Sequence, residues 1–285
     1  MRRRIGTGMM AALIAAGCGG GQKGPEAIRI KGSDSEVNLV QSLAEAYMAK
    51  DKNAVISVQG GGSGVGIAAI INKEVEIANS SREMKPDEIE RARANGVEPL
   101  GFIFAIDAIA IIVHPDNPIN EISLENLGKL YRGDIKNWKE MGGPDAEVSL
   151  YGRQSNSGTF VFFRDAVLKG DYSPNMKAMN GNSQIVDGVK TDKAGIGYVA
   201  LGYVRQGGSF TPGVKVIRVD GKLPGEGGYA LARPLYQYLQ GKPKGKVRDF
   251  LAFELSDEGQ TIIEKGGFLR VTGTEYEKVS QEILE

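Results

Sequence analysis

The sequence predicts an α/β fold built as two domains, and three observations lead to this prediction. The chain has 285 residues, whereas a domain typically has about 150, so two domains are expected. From Ala27 onward, short apolar segments of strand length alternate with amphipathic segments of helical periodicity, which is the pattern of an α/β protein. The 40 glycines are scattered without a period of three, which indicates many tight turns and excludes a collagen-like chain.

The first part of this pattern alternates strand and helix. Ser33-x-x-Glu36 forms a capping box ahead of apolar residues spaced at i, i+3 and i+4, which predicts a helix start. Pro86, with acidic residues after it, predicts another helix start. In this part we predict strands at 28–30, 55–58 and 75–78, and helices at 33–47, 67–71 and 86–95.

The second part begins with a longer apolar run from Phe102 to Val113. This run is too short to span a membrane and is predicted to form strands that cross between the two domains. Beyond it we predict helices at 124–130, 160–168 and 247–263, strands at 148–151 and 196–199, and a return crossing at 229–232.

The N-terminus has the features of an export signal. Three arginines, at positions 2–4, precede about twelve small and apolar residues, which is typical of a signal peptide over residues 1–17. The segment ends at Cys18, the single cysteine, in a sequence that resembles the bacterial lipobox, with Ala15 where that motif usually has leucine. We therefore expect lipidation of Cys18, a flexible tether at 18–26 and an exported, membrane-anchored protein; the alternative is an ordinary signal peptide with an incidental cysteine.

Charge and composition exclude several classes of protein. The whole chain has 35 basic and 35 acidic residues, so removal of three arginines with the signal peptide leaves 32 against 35, a net charge of −3. A mildly acidic protein is not expected to bind nucleic acid, because that affinity depends on neutralising phosphates with Lys and Arg. One cysteine and one histidine exclude a disulfide framework and a His/Cys metal cluster. We expect no metal and no cofactor.

A glycine- and hydroxyl-rich turn between a strand and a helix occurs three times, at 32–35, 60–66 and 153–159. The first turn of a helix presents unpaired N–H groups and a partial positive charge, so it binds oxyanions readily. Arg153 would add a bidentate cation. Ser and Thr at helix starts also act as plain N-caps, so the pattern alone leaves both interpretations open.

Enzymatic function is not supported by any catalytic motif. The 60–66 turn lacks the Gly-Lys-Ser/Thr ending of a nucleotide-binding loop, and no Gly-x-Ser-x-Gly elbow occurs. His114 is the single imidazole and follows a strand, where a surface role is expected. We therefore expect a binding protein.

Six motifs occur in an order that resembles a known family. They are the lipobox, Gly32-Ser33-Asp34-Ser35, Gly62-Ser63-Gly64, Val75-Glu76-Ile77-Ala78-Asn79-Ser80-Ser81-Arg82, Arg153-x-x-x-Ser157-Gly158-Thr159 and Gly195-Ile196-Gly197-Tyr198-Val199. The chain resembles the phosphate-binding lipoproteins that deliver phosphate to the high-affinity ABC transporter. The resemblance covers nearly all of residues 27–270.

This resemblance implies a two-lobe type II periplasmic-binding-protein fold with two crossover strands and the ligand in the cleft between the lobes. Lobe I would comprise 27–107 and 229–285, and lobe II would comprise 108–228. The implied function is extracytoplasmic capture of inorganic phosphate by a monomer and its delivery to an ABC permease. The alternatives are a receptor for sulfate, molybdate or tungstate, a surface adhesin or sensor subunit that has lost transport and, much less favoured, an exported phosphatase.

The resemblance also assigns the binding residues. Ser35 and Ser63 with Gly64 would act from lobe I, with Ser33 as an alternative to Ser35. From lobe II the resemblance assigns Arg153, Ser157, Gly158 and Thr159.

One position departs from the family pattern. Better-known members have an aspartate at the position of Ser81, where it accepts the proton of hydrogen phosphate. We therefore keep Ser81 among the predicted binding residues and hypothesise that Asp34 takes over as the proton acceptor, or that Arg82 makes the site more dependent on charge.

Overall fold

A computed structural model describes residues 27–206 and 208–285. The predicted signal peptide at 1–17, Cys18 and the tether at 18–26 lie outside the described residues. The strands are β1 (Ala27–Gly32), β2 (Val55–Gln59), β3 (Ile77–Ser80), β4 (Pro99–Val113), β5 (Glu121–Ile122), β6 (Ser149–Arg153), β7 (Lys177–Met179), β8 (Gly195–Ala200), β9 (Arg205–Gln206), β10 (Ser209–Phe210), β11 (Lys215–Val219) and β12 (Ala232–Gln240).

Helices alternate with these strands. They are α1 (Val37–Lys50), α2 (Ser63–Ile71), α3 (Pro86–Ala94), α4 (Leu124–Arg132), α5 (Gly158–Phe163), α6 (Asn182–Thr191), α7 (Gly245–Leu255), α8 (Asp257–Lys265) and α9 (Glu275–Leu284). The last turns of α5 continue as a π-helix over Arg164–Leu168, and short 3-10 helices cover Trp138–Met141 and Leu201–Tyr203. In the part of the chain that is described, no helix combines the length and apolar character needed to cross a bilayer.

One long strand joins two halves of a single mixed sheet. The strand order is β2-β1-β3-β12-β4-β8-β6-β7. Residues 99–108 of β4 pair antiparallel with β12, and residues 109–113 pair antiparallel with β8. We call the side with β1, β2, β3 and β12 the first half of the sheet, and the side with β6, β7 and β8 the second half.

The hydrophobic core is divided in the same way. Residues of the second half pack in one cluster that includes Ala108–Val113 of β4 and the fully buried Trp138 and Phe163. Two further clusters lie on the first half of the sheet and contain Phe102, Ile103 and Phe104 from the start of β4. β4 therefore supplies core residues to both halves.

Most predicted elements form, with shifts at their ends. The third strand begins at Ile77 and not at residue 75. The predicted capping box is wrong: Ser33 extends the strand by donating its N–H to Asn79 O (2.9 Å), and Glu36 is the N-cap of α1 with no side-chain cap bond.

Two further predictions are wrong in the C-terminal third. The return strand begins at Ala232 and continues to Gln240, so 229–231 precedes it. The long helix predicted at 247–263 is two helices. Ser256, in an extended conformation, ends α7 and caps α8 by accepting from Gly259 N–H. Asp257 and Glu258 follow in the first turn, so the sequence contained a helix-start signal that the apolar periodicity concealed.

Candidate binding site

The site is placed by the ends of parallel strands. β1 pairs parallel with both β2 and β3, so the carboxyl ends of all three meet at one edge of the first half. In the second half, β6 is parallel to β7 and β8 and ends at Arg153. The turns after these strands carry the serines, glycines and the arginine predicted from the sequence. Such edges are where open α/β sheets bind ligands.

Two pairs of buried hydroxyls meet where the halves of the sheet face each other. Ser35 Oγ, after β1, lies 2.9 Å from Thr159 Oγ1, in the first turn of α5. Ser63 Oγ, at the start of α2, lies 3.3 Å from Ser81 Oγ and accepts a hydrogen bond from Ser81 N–H (3.0 Å). These four side chains belong to residues that are at most 2% exposed. The structure therefore brings together four predicted binding residues in one buried cluster.

Gly158 allows the start of α5 to approach this cluster. A Cβ atom at position 158 would lie 2.4 Å from Ser63 Oγ and 2.7 Å from Ser81 Oγ. Both distances are shorter than van der Waals contact, so any larger residue would require the two serines or the start of α5 to shift. Glycine is needed at position 158 because the start of α5 lies so close to Ser63 and Ser81, and not because the backbone dihedral angles there exclude other residues.

Arg153 is the cation that the sequence predicted for the site. Its side chain is 1% exposed. Nη2 donates to Asp34 Oδ2 (2.5 Å) and to Asn180 O (2.9 Å). Nε and Nη1 are buried and have no hydrogen-bond partner among the described residues. Because a buried guanidinium N–H without a partner is costly, these two donors indicate a ligand with acceptor oxygens.

An aromatic cluster fixes the backbone of Arg153. Arg153 N–H donates to the Tyr198 hydroxyl (3.0 Å), whose ring stacks on Phe163 at 4.2 Å between centroids. The Tyr172 hydroxyl donates to Phe160 O (2.9 Å) and lies 3.1 Å from the Tyr198 hydroxyl. Burial raises the pKa of Tyr198 to about 12, so this hydroxyl stays protonated. The cluster holds the arginine rigidly.

Asp34 lies between the two halves of the sheet. Besides binding Arg153, its Oδ1 accepts from Gly61 N–H (2.9 Å). The backbone carbonyl of Asp34 accepts from the Tyr203 hydroxyl (2.7 Å). Asn156 adds a second connection, since its carbonyl accepts from Gly64 N–H (3.0 Å) and its side-chain amide donates to Gly61 O (3.0 Å). These contacts hold the halves in a closed arrangement.

The remaining predicted residues are placed differently. Ser33 is buried beside the cluster, and Ser157 is the N-cap of α5, accepting from Phe160 N–H (3.4 Å). Arg82 is separate from the hydroxyls: its two Nη atoms each donate to one carboxylate oxygen of Glu88, at 2.7 Å. Glu88, in the first turn of α3, accepts from Arg82 and from Lys85 N–H (2.8 Å), so it binds Arg82 besides capping the helix.

Sequence reasoning missed Arg233 and Asp107, which face each other across β12 and β4. Arg233 Nη2 donates to Asp107 Oδ2 (2.9 Å) and to Thr159 Oγ1 (2.8 Å). A signal for this pair was available, because Asp107 is the single charged residue between Phe102 and Val113. A charge in an otherwise apolar strand needs a buried partner.

A third carboxyl group, that of Glu36, lies near the Arg233–Asp107 pair. Glu36 is fully buried, and both of its oxygens have no hydrogen-bond partner in the described chain. Burial raises the pKa of Glu36 well above its usual range, which favours the neutral form of this carboxyl. The neutral form adds no charge repulsion toward an anion. Within residues 27–206 and 208–285, no group of His, Cys, Asp and Glu side chains could hold a metal ion.

Comparison with known proteins identifies the family. A family model described as a PBP superfamily domain matches residues 19–258. The phosphate-binding protein PstS of Borreliella burgdorferi is 30% identical over 264 residues, which are 88% of this chain and 92% of that protein. The chain belongs to the PstS family of phosphate-binding proteins.

Solved structures of phosphate receptors of ABC transporters have the same fold. An ABC-type phosphate transport receptor from Vibrio cholerae superimposes with a TM-score of 0.70 at 27% identity, covering 85% of this chain and 99% of that chain. A Clostridium perfringens protein, assigned as a phosphate ABC transporter substrate-binding protein and solved with bound phosphate, gives 0.78 at 29% identity, with 87% and 100% covered. The predicted family and the type II periplasmic-binding fold are confirmed. PstS proteins are extracytoplasmic substrate-binding proteins of ABC transporters.

We predict that Gly158→Ala prevents the closed arrangement, because the added methyl group would overlap Ser63 Oγ and Ser81 Oγ. Small-angle X-ray scattering should show a larger radius of gyration than in the unmodified protein. Gly181→Ala is the matched control, since a Cβ there meets nothing within 4 Å. Identical scattering of the Gly158→Ala and unmodified proteins would contradict the close approach described above.

Proposed function

We propose that this protein captures inorganic phosphate in the site between the two halves of the sheet and delivers it to an ABC transporter permease. The observation that carries the proposal is the pair of buried Arg153 donors without partners among the described residues, together with the buried hydroxyls contributed by both halves. The names of the related proteins support phosphate as the ligand. Four hydroxyls and one free guanidinium edge suit a tetrahedral anion with several acceptor oxygens.

Nine of the predicted binding residues are kept in the proposal, whereas Arg82 is removed and Asp34 has the separate role described below. Ser33, Ser35, Ser63, Gly64 and Ser81 would act from one side, and Arg153, Ser157, Gly158 and Thr159 from the other. The contacts among these groups support the assignment. The pairing of Arg82 with Glu88 speaks against a direct role for Arg82.

Two lobes that close around the ligand are part of the proposal. Lobe I would be 27–107 with 229–285, and lobe II would be 108–228. The division of the hydrophobic clusters near these boundaries supports this assignment. Closure by hinge motion would bring Asp34 to Arg153 and Ser35 to Thr159.

Binding without catalysis completes the proposal. A phosphatase needs a nucleophile activated by a base, or a metal. The serines of the site bond to one another, to backbone groups or to Arg233, and the described residues place no histidine beside them. A metal-independent turnover of nitrophenyl phosphate would overturn this part of the proposal.

The central test is calorimetric titration with phosphate. We expect saturable binding of one phosphate per chain and a loss of affinity of about 100-fold or more in Arg153→Met, because charge-assisted hydrogen bonds contribute about 1.5–3 kcal/mol each. Arg132→Met, which alters a partly exposed arginine bound to Asp134, is the control and should bind as before. Undiminished affinity in Arg153→Met, or binding of sulfate in preference to phosphate, would contradict the proposal.

Asp34 is the proposed acceptor for the phosphate proton. Each of its oxygens already accepts one hydrogen bond, from Arg153 or from Gly61, and a carboxylate oxygen has a second acceptor site. A protonated phosphate can donate to that site, whereas sulfate has no proton to donate and would meet a negative charge.

We predict that Asp34→Asn lowers the ratio of phosphate to sulfate affinity by about tenfold or more, because the acceptor weakens and Arg153 loses its counter-charge. Titrations with both anions at several pH values would measure the ratio. Arg82→Gln tests the other hypothesis and should leave the ratio unchanged. Selectivity that moves with Arg82 and not with Asp34 would reverse the assignment.

A lipid anchor on Cys18 is proposed from the sequence alone, with the protein acting as an anchored monomer. We expect radiolabelled palmitate to be incorporated by the full-length protein in a bacterial host and the protein to fractionate with membranes. Cys18→Ser should abolish the label and release the protein, since removal of the acyl chains removes about 0.8 kcal/mol per buried CH₂. Unlabelled full-length protein in the membrane-free fraction would favour an ordinary signal peptide.

A further inference from the structure

Arg233 is the second buried arginine of the site, and its charge is already compensated. It lies opposite Asp107 in the register of β12 and β4, and the two residues are at most 3% exposed. Nε and Nη2 both donate to Asp107 Oδ2, at 3.2 and 2.9 Å. Asp107 Oδ1 accepts from Leu201 N–H (3.1 Å). The pair is therefore neutral as a unit and fixed in position.

The other side of the Arg233 guanidinium contacts the binding cluster. Nη1 donates to the Ser81 carbonyl (2.9 Å), and Nη2 donates to Thr159 Oγ1 (2.8 Å) and reaches Ser35 Oγ (3.4 Å). The ring of Phe162 lies 5.3 Å from Cζ on the second half of the sheet. Arg233 thus touches groups from both proposed lobes, and its contacts with Thr159 and Phe162 require closure.

These contacts limit the hydrogen bonds that the Thr159 hydroxyl can make. A guanidinium has N–H donors and no acceptor, so Thr159 Oγ1 must accept from Arg233. The Ser35 and Thr159 hydroxyls together have two protons, and one of them is used in the bond between the two oxygens. Arg233 donates to a lone pair of Thr159 and accepts no proton. The second hydroxyl proton of the Ser35–Thr159 pair can therefore be donated to a ligand oxygen.

We propose that Arg233 is a positioning residue that, held by Asp107, makes the Ser35–Thr159 pair a donor toward the bound oxyanion and links donor orientation to closure. This inference rests on the proposed function and extends it to a residue outside the six motifs. Since the Arg233–Asp107 pair has no net charge, it acts on binding mainly by orienting the hydroxyls and less by attracting the anion. Arg233 therefore raises affinity for phosphate and sulfate alike, whereas Asp34 separates the two anions.

A double-mutant cycle between Arg233 and Thr159 tests this proposal. We expect Arg233→Lys, which keeps the charge but loses the fork of donors, to weaken both phosphate and sulfate binding by about tenfold or more with an unchanged ratio. In a Thr159→Val background, which has no hydroxyl to orient, the same substitution should cost less than about threefold. Arg132→Lys is the control, and circular dichroism with thermal unfolding confirms that each variant is folded.

Three results would overturn the proposal. They are undiminished binding by Arg233→Lys, an equal loss in the Thr159→Val background, or a changed phosphate-to-sulfate ratio. If Arg233→Lys does not fold, Asp107→Asn replaces it in the cycle. This substitution weakens the contact that holds Arg233 on the side away from Thr159. Failure of the unmodified protein to bind any oxyanion would overturn the proposed function instead, and the Arg233–Thr159 coupling would remain measurable in the free energy of unfolding.

Discussion

Charge compensation is the constraint on which the rest of this site depends. Two arginines are buried where the halves of the sheet meet, and each is matched to one carboxylate, Asp34 or Asp107. Burial raises the pKa of Glu36 and so favours its neutral form, which limits the unpaired charge in the closed arrangement. An incoming anion must then be stabilised mainly by dipoles: hydroxyls, backbone N–H groups and one free guanidinium edge. Such a site binds through many moderate contacts, which suits a protein that must also release its ligand.

Several polar contacts of the site join the two halves of the sheet. Asp34 meets Arg153, Ser35 meets Thr159, and Asn156 bonds to the Gly61–Gly64 turn. Closing the halves and completing the donor set are therefore the same event. In an ensemble of open and closed forms, a ligand favours closure by the contacts that it makes only in the closed form. The geometry thus explains how ligand binding can favour a closed shape of the protein, which a membrane partner can distinguish from the open one.

The sequence predicted those parts of the site whose chemistry is local. Each glycine- and hydroxyl-rich turn is a short segment between a strand and a helix, so Ser35, Ser63 and Thr159 were identified together. Arg233 was not, because its partner Asp107 is 126 residues away and becomes adjacent when β12 pairs with β4. The binding role of Arg82 stays a prediction that its pairing with Glu88 disfavours, and that pairing depends on where α3 begins. The break at Ser256 was readable from its capping residues, but apolar periodicity continues across it.

The continuity of β4 has a consequence for folding. Its first part is buried in the clusters of one half, and its last part is buried in the cluster of the other. Neither half would keep a complete core if the other melted, so the two halves are expected to unfold together, although the proposed function requires them to move relative to each other. Loss of a few buried methyl groups in this strand would weaken both lobes at once, whereas changes in the turns around the ligand would leave the folding unit intact.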